Sequence, residues 1–158
     1  MTNALTVTAP EGLPFIDTVR EFDAPLAKLW RAYTEPDLIA QWMGPRDSKL
    51  EHLEFDPRTG GSWSFSHVED DGSSSGFRGV LHEVDEQKSI TQTFEFSGWP
   101  GHVSLERADF EDLGEGRTRI STHSVFQSLE DRDGMVGSGM EGGMREAYEQ
   151  LEELVATL

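Results

Sequence analysis

The spacing of apolar residues predicts, in chain order, one strand, two short helices, six further strands and a long final helix. Residues 13–22 alternate as a strand does, and one of the two faces carries Ile16 and Phe22. Two helical stripes follow. We expect Asp23 and Thr34 to cap these helices, because short oxygen-bearing side chains accept hydrogen bonds from the free N–H groups of a first turn.

The middle of the chain has the pattern of consecutive strands joined by short polar turns. The six strands are predicted at residues 48–55, 62–68, 76–84, 88–96, 102–110 and 117–125. Consecutive strands on short turns pair with one another, so the sheet is predicted to be an antiparallel meander.

The last segment carries one long apolar stripe. Ser128 begins a sequence typical of a helix cap, and from Asp133 onward apolar residues recur every three or four positions, including Val136, Tyr148 and Leu158. A helix of this length needs a large apolar partner, and the pattern offers the concave face of a bent sheet. The predicted fold class is therefore α+β: a curved antiparallel sheet of about six to seven strands wrapped around a long C-terminal helix, with two short helices between strands 1 and 2.

The length of 158 residues is that of one domain. We expect residues 1–12 to form a flexible lead-in and residues 13–158 to form a single domain. The lead-in lacks the basic and then apolar pattern of a signal peptide, and no stretch of the chain has the apolar length of a membrane span. The chain has no cysteine, which excludes disulfides and thiolate chemistry and is typical of a cytoplasmic protein.

The charge balance narrows the expected partners. Thirteen Lys and Arg stand against 30 Asp and Glu, for a formal net charge of -17. Such a surface repels phosphate groups and anionic lipid headgroups, so we expect neither nucleic acid nor membrane as a partner. The simplest effect of the charge is solubility.

Glycines and methionines are concentrated where the last helix begins. They are Gly134, Gly137, Gly139, Gly142 and Gly143, with Met135, Met140 and Met144. Each glycine inside a helix costs about 1 kcal/mol relative to alanine, so five of them indicate a purpose other than helix stability. They either allow the backbone to approach the sheet closely or leave space that the methionines line. The second interpretation is favoured, because ligand pockets are concave and mostly apolar.

Aromatic and polar residues of the strands complete the set that would line such a space. The candidate ligand-binding residues are Trp42, Trp63, Phe65, His67, Gln92, Phe94, Phe96, Arg107, Phe110, His123, Met140, Met144 and Tyr148. The aromatic members would equally well form a plain core. Periodicity does not say which face of a strand points inward, but an inward polar group must find a partner, and a ligand is one such partner.

Two glycine-rich motifs match catalytic or cofactor signatures in spelling only. Residues 72–76 read Gly-Ser-Ser-Ser-Gly, but they lie at a predicted hairpin tip and not at the strand-to-helix turn of a nucleophile elbow. Residues 137–142 spell a dinucleotide fingerprint without the βαβ unit that such a fingerprint needs. The histidine–acid groups at 52–54 and 67–71 lack zinc-site spacing. We therefore predict no catalytic residue, no cofactor and no metal.

Four segments resemble a known superfamily. They are Arg20-Glu-Phe-Asp-Ala-Pro25, the stretch from Trp30 through Thr34-Glu-Pro-Asp37 to Trp42, Gly116-Arg-Thr-Arg119, and the tail from Phe126 to Gly142. The chain resembles the helix-grip superfamily of START lipid-transfer domains and birch-pollen-allergen-like proteins over residues 13–157. Within it, the chain is similar to the family named for activators of the heat-shock-protein-90 ATPase. Members of that family often have tryptophan where this chain has Met144, and this change would widen and soften any cavity there.

The resemblance implies a protein that binds a small apolar or amphipathic molecule in a cavity between the sheet and the C-terminal helix. Two alternatives rank behind it: a co-chaperone-like module whose acidic surface steers a chaperone partner, and a cavity-based cyclase or hydrolase. The acid–base candidates of such an enzyme would be His67, His123, Arg107 and Tyr148. Trp99, in a Gly/Pro loop, would serve either as a pocket lid or as the contact of a homodimer.

Overall fold

The structure is a computed structural model that describes residues 3–158. Its strands are β1 (Thr6–Thr8), β2 (Phe15–Phe22), β3 (Lys49–Phe55), β4 (Ser62–Val68), β5 (Ser74–Asp85), β6 (Ser89–Phe96), β7 (Val103–Gly114) and β8 (Arg117–Val125). Its helices are α1 (Leu26–Thr34), α2 (Pro36–Trp42), α3 (Leu129–Gly137) and α4 (Met140–Val155). The predicted elements are therefore present, with one additional strand and with the final helix divided in two.

The strands form one antiparallel sheet in the order β1-β2-β8-β7-β6-β5-β4-β3. Consecutive pairing from β3 to β8 confirms the predicted meander and the α+β class. The predicted six to seven strands are too few, because Thr6–Thr8 in the expected lead-in pairs with β2, with Thr6 opposite Val19. The Thr-Val-Thr triplet suits this role, since β-branched side chains pack well on a pleated surface.

The two short helices lie where the pattern predicts them, but their predicted caps are wrong. Neither helix has a side-chain cap hydrogen bond. The Asp23 carboxylate accepts a hydrogen bond from Arg117 at 2.9 Å instead, and the Thr34 hydroxyl donates to the carbonyl of Trp30 at 2.7 Å. Both side chains have an alternative partner that sequence spacing does not reveal.

The predicted continuous C-terminal helix is also wrong. Gly139 has a φ of 85°, a left-handed conformation that ends α3 and precedes the first residue of α4. Val136 is consequently exposed and does not share the buried stripe. The predicted cap at Ser128 is confirmed, because its side chain accepts a hydrogen bond from the N–H of Asp131 at 3.1 Å.

One face of the sheet, called here the inner face, is buried beneath the helices. Ile16 and Phe22 of β2, Ile120 of β8 and Leu81 of β5 lie on it and are at most 2% exposed. α4 adds an apolar stripe, and the ring of Tyr148 meets that of Phe22 in a T-shaped arrangement with centroids 5.4 Å apart. The alternate strand positions form the outer face, which faces solvent.

The last strand in the order, β3, is interrupted. Its register with β4 shifts between Glu51 and Glu54, and His52 within that shift has a φ of 55°. Such a bulge bends a strand and locally disrupts its ladder of hydrogen bonds, which resumes here at Glu54. Within residues 3–158, no helix has the length and apolarity to cross a membrane.

Candidate functional site

Six rings on the inner face of β4, β5 and β6 form a continuous surface, called here the aromatic platform. Its members are Trp63, Phe65, His67, Phe77, Phe94 and Phe96. Neighbouring centroids are 5.2–6.0 Å apart, which is the range of favourable aromatic pairs. Trp63 and Phe65 are buried, whereas the other four rings are only half-buried. The platform therefore presents apolar surface that the protein itself does not fully cover.

A glycine on β5 allows the platform to form. Gly79 lies opposite Trp63, and a Cβ at this position would be 2.5 Å from the indole Nε1 and 1.9 Å from the carbonyl oxygen of Thr93. The indole therefore lies directly on the backbone of β5. Phe77, two positions earlier on the same face, is a platform residue that the sequence prediction missed.

His67 forms the polar end of the platform. Its ring lies against Gly44, in the segment after α2, where a Cβ would be 2.4 Å from the imidazole. Burial lowers the pKa of His67 and favours the neutral ring, and the Nε2 atom is buried without a hydrogen-bond partner. A buried ring nitrogen without a partner is rare in native proteins and can accept or donate one hydrogen bond to a ligand.

A second group of side chains, called here the polar row, crosses the inner face beside the platform. Gln92, Glu106 and Ser124 lie opposite one another on β6, β7 and β8. The Ser124 hydroxyl donates to the Glu106 Oε2 atom at 3.2 Å, and Gln92 lies beside the carboxylate on the neighbouring strand. Burial nevertheless raises the pKa of the Glu106 carboxyl, because the loss of hydration destabilises the charged form more than the neutral side chains of Gln92 and Ser124 stabilise it.

Ser104 links the polar row to the platform. It is 4% exposed, lies opposite Phe94 and is two positions from Glu106 on the same face of β7. Its hydroxyl oxygen is buried and has no hydrogen-bond partner. An unsatisfied buried hydroxyl costs roughly 1–3 kcal/mol, so a ligand atom that paired with it would recover part of that cost.

Two tyrosines close the polar row from the helix side. The Tyr33 hydroxyl of α1 donates to the Tyr148 hydroxyl of α4 at 3.3 Å. Burial raises the pKa of both phenols, and the nearby Glu106 carboxylate raises that of Tyr148 further. Both tyrosines therefore remain protonated hydrogen-bonding groups at neutral pH.

The start of α4 leaves space on the side of the helix that faces the sheet. Gly143 lies four positions before the buried Ala147 and so faces the sheet, yet a Cβ there would meet no heavy atom within 4 Å outside its own helix backbone and chain neighbours. Gly137, Gly139 and Gly142 also lack such a neighbour, but all three are exposed and border solvent. Gly143 is half-buried, so its geometry is the one that favours the predicted space over close backbone approach. Met140 and Met144 flank the space and are half-buried.

Gly134, unlike these glycines, lies close to another side chain. A Cβ at this position on α3 would be 3.2 Å from the ring of Trp99. That ring stacks on His102 with centroids 4.0 Å apart, and His102 Nδ1 is 2.9 Å from the Asp131 carboxylate. The loop between β6 and β7 is thereby attached to α3, although Trp99 remains 40% exposed.

The predicted site residues divide between the two faces of the sheet. Those on the inner face or on the helices above it are Trp42, Trp63, Phe65, His67, Gln92, Phe94, Phe96, Phe110, Met140, Met144 and Tyr148. Arg107 and His123 do not join them, because both lie on the outer face of the sheet. Arg107 pairs with Asp109 at 3.1 Å, and His123 pairs with Asp17.

Two of the predicted inner residues are buried in the core. Trp42 is buried and donates its indole N–H to the carbonyl of Ala32 at 2.9 Å. Phe110 is buried against Trp30 in a T-shaped pair with centroids 5.1 Å apart. The half-buried rings of the platform are therefore the part of the inner face that the protein leaves partly uncovered.

Two open depressions occur elsewhere on the surface. One, of about 510 Å³, lies against β3, β4, β5 and β6 and is lined by outward-facing residues that include Ser64, Ser66 and Arg78. The other, of about 280 Å³, lies between α2 and β3 beside Met43 and Leu50. Within the described part of the chain, no group of three or more His, Asp or Glu residues is arranged to hold a metal ion.

The raised pKa of the Glu106 carboxyl gives a prediction for the stability of the protein as a function of pH. Its folded-state pKa lies above the ordinary value of 4.5, so on raising the pH the unfolded chain loses this proton first. The Glu106 contribution to the free energy of unfolding should therefore fall as the pH rises from about 4.5 through the folded-state pKa, and should be constant below 4.5.

Urea denaturation of the wild type and of Glu106→Gln at several pH values measures this contribution as the difference between the two proteins. We expect the difference to move in favour of the variant as the pH rises. Titration of the other carboxyls cancels, because both proteins contain them. A difference independent of pH would contradict the burial argument.

Comparisons with known proteins agree with the fold. The sequence model of a family described as "Activator of Hsp90 ATPase homolog 1-like protein" matches residues 23–156. A crystal structure from Rhodobacter sphaeroides superposes with a TM-score of 0.89 at 23% identity, covering 98% of this chain and 100% of that chain. No match was found among curated proteins.

Two further solved structures show the same likeness. A solution structure from Arthrobacter aurescens has a TM-score of 0.85 at 24% identity, covering 97% of this chain and 92% of that chain. A crystal structure from Mycobacterium smegmatis has a TM-score of 0.85 at 22% identity, covering 96% of each chain. Likeness at these identities shows a shared fold, and the site has to be argued from its own residues.

Proposed function

The chain belongs to the family of activator of Hsp90 ATPase homolog 1-like proteins, and we propose that it is a binding protein for a small amphipathic molecule held between the sheet and α4. The observation that carries the proposal is the open space at Gly143, on the sheet-facing side of α4. An inward glycine with no neighbour gives up about 1 kcal/mol of helix stability without gaining a packing contact. A ligand that fills the space would explain why a glycine is present at this position despite its lower helix stability.

The surfaces around the space suit both parts of an amphipathic molecule. Phe77, Phe94 and Phe96 are half-buried and supply flat apolar surface for a hydrocarbon portion. The unpartnered Ser104 hydroxyl and His67 Nε2 supply hydrogen-bonding positions for a polar portion. Flexible methionines at 140 and 144 can adapt to the shape of the occupant.

Native mass spectrometry tests the proposal on the protein as purified and after incubation with decan-1-ol. We expect extra mass in the native spectrum that disappears on denaturation, and we expect Gly143→Leu to reduce it strongly, because the leucine side chain fills the space. Gly142→Leu is the matched control, since residue 142 is exposed on the other side of the helix. Both substitutions replace glycine by a better helix former, so neither should unfold α4.

The outcomes separate clearly. A wild-type protein that shows bare mass under both conditions would refute ligand binding between the sheet and α4. Equal ligand mass in the two glycine variants would place the binding site elsewhere on the molecule. The same spectra report whether the protein is a monomer or a homodimer, with or without ligand.

A further inference from the structure

Glu106 is an acid on the inner face without a cation beside it. Within residues 3–158, no Lys, Arg or His nitrogen lies within 4 Å of its carboxylate. Ser124, which donates a hydrogen bond to it, and Gln92, which lies opposite it, are both neutral. Acids withdrawn from water are usually paired, and the described residues supply no cationic partner for this one.

The charged and titratable groups that face Glu106 from the packed elements do not supply that partner. Tyr148 of α4 and Tyr33 of α1 are neutral phenols. Arg20 of β2 lies four positions along its strand from Ile16, the residue in line with the polar row, or roughly 13 Å at about 3.3 Å per residue. Its guanidinium lies over the ring of Phe22 and is 3.9 Å from the Glu152 carboxylate.

The platform begins directly beside this acid. Phe94 is the diagonal neighbour of Glu106 across the β6–β7 pair, because it lies opposite Ser104 two positions away. The face of an aromatic ring attracts cations, and the attraction grows when the cation is out of water. A carboxylate without a cation, next to half-buried ring faces, is thus complementary to a positive charge attached to an apolar body.

We propose that the ligand of this site carries a protonated amine, which Glu106 binds as a charge-paired hydrogen bond while the aromatic platform holds the attached hydrocarbon. This inference rests on the proposed function and specifies the chemistry of its ligand. A carboxylate head would place two negative charges together, and an alcohol head would leave the charge of Glu106 unpaired. The amine head satisfies the carboxylate and adds a cation–π contact.

Three ligands with the same ten-carbon chain test the inference: decylamine, decan-1-ol and decanoate. Binding is measured by titration calorimetry below the concentration at which each forms micelles. In the wild type at pH 7 we expect decylamine to bind about tenfold or more tightly than decan-1-ol, because hydrogen bonds between charged groups are stronger than neutral ones. In Glu106→Gln this preference should disappear.

The acidic surface requires a matched control. A net charge of -17 attracts any cation, independently of the site. Glu111→Gln removes the same charge from the outer face of the same strand, where Glu111 is exposed and pairs with Arg119 at 3.0 Å. We expect this variant to keep the full amine preference, and measurements at 0.15 M salt reduce the surface attraction in all three proteins.

A second measurement uses the wild type alone and does not depend on the folding of a variant. The amine stays protonated from pH 5 to pH 8, as a lysine side chain does. Its affinity relative to decan-1-ol should therefore rise with pH as Glu106 becomes ionised.

The results decide between the two proposals. An amine preference that persists in Glu106→Gln, or a ratio of affinities that does not change with pH, would overturn the inference about the amine. Binding of decan-1-ol in the same experiment would still support the proposed function. Binding of none of the three ligands would overturn both.

Discussion

Replacement of Gly79 by alanine is expected to lower the free energy of unfolding by about 3 kcal/mol, near the upper limit for overpacking a core. A Cβ at this position would lie 1.9 Å from the Thr93 carbonyl oxygen and 2.5 Å from the Trp63 indole. The first atom belongs to the backbone of β6 and cannot rotate away, so either the β5–β6 pair or the indole has to move. The substitution is therefore expected to disturb both the β5–β6 pairing and the packing of the aromatic platform.

Chemical denaturation followed by tryptophan fluorescence measures this effect, with Gly142→Ala as the control. That glycine is exposed on α4 with no neighbour within 4 Å of a Cβ, so alanine should raise the free energy of unfolding by up to about 1 kcal/mol. The two substitutions add the same methyl group and are expected to act in opposite directions. A neutral Gly79→Ala would show that Trp63 does not lie on the backbone of β5.

Replacement of Leu151 by alanine is expected to lower the free energy of unfolding by about 3 kcal/mol. Leu151 is fully buried in the core cluster that joins α4 to Phe22, Leu29 and Ile120. Its removal loses both the transfer free energy of the side chain and the contacts around the cavity that remains. The effect should be large because α4 is held to the sheet mainly at this end, whereas its first half borders open space.

The matched control is Leu129→Ala at the start of α3. Leu129 is 40% exposed, so its removal should change the free energy of unfolding by no more than about 0.5 kcal/mol. Thermal denaturation of both variants measures the difference. Equal effects would mean that the end of α4 near Leu151 is not the attachment that the structure describes.

Regular alternation made the sheet predictable from the sequence. Trp63, Phe65 and His67 recur at every second position, and this period alone predicts β4 and its aromatic face. The break between α3 and α4 has no such signal. The apolar period runs through Val136, while the break depends on the left-handed backbone of Gly139, a property of one residue that spacing does not express.

The sequence predicted most of the aromatic platform and, among the polar residues, His67 and Gln92, but it did not single out Ser104, Glu106 or Ser124. In a chain with 30 acidic residues, Glu106 has no distinguishing composition. Glu106 differs from its neighbours because it lies on the same face of β7 as Ser104 and Phe110. The sequence reveals this only once it is known which face of the strand points inward. Arg107 and His123 were misplaced for the same reason, since each lies one position from an inward residue and a shift by one residue reverses the face.

The two ends of the strand order determine how copies of this protein can meet. A free strand edge offers unpaired backbone groups on which another chain can add a strand and begin to aggregate. Here one edge is the three-residue β1, and the other is β3, which is broken by the bulge at His52 and carries Lys49 and Glu51. Short edge strands, bulges and charges all oppose such addition. Self-association through the sheet backbone is therefore disfavoured, and any contact between copies has to be made by side-chain surfaces.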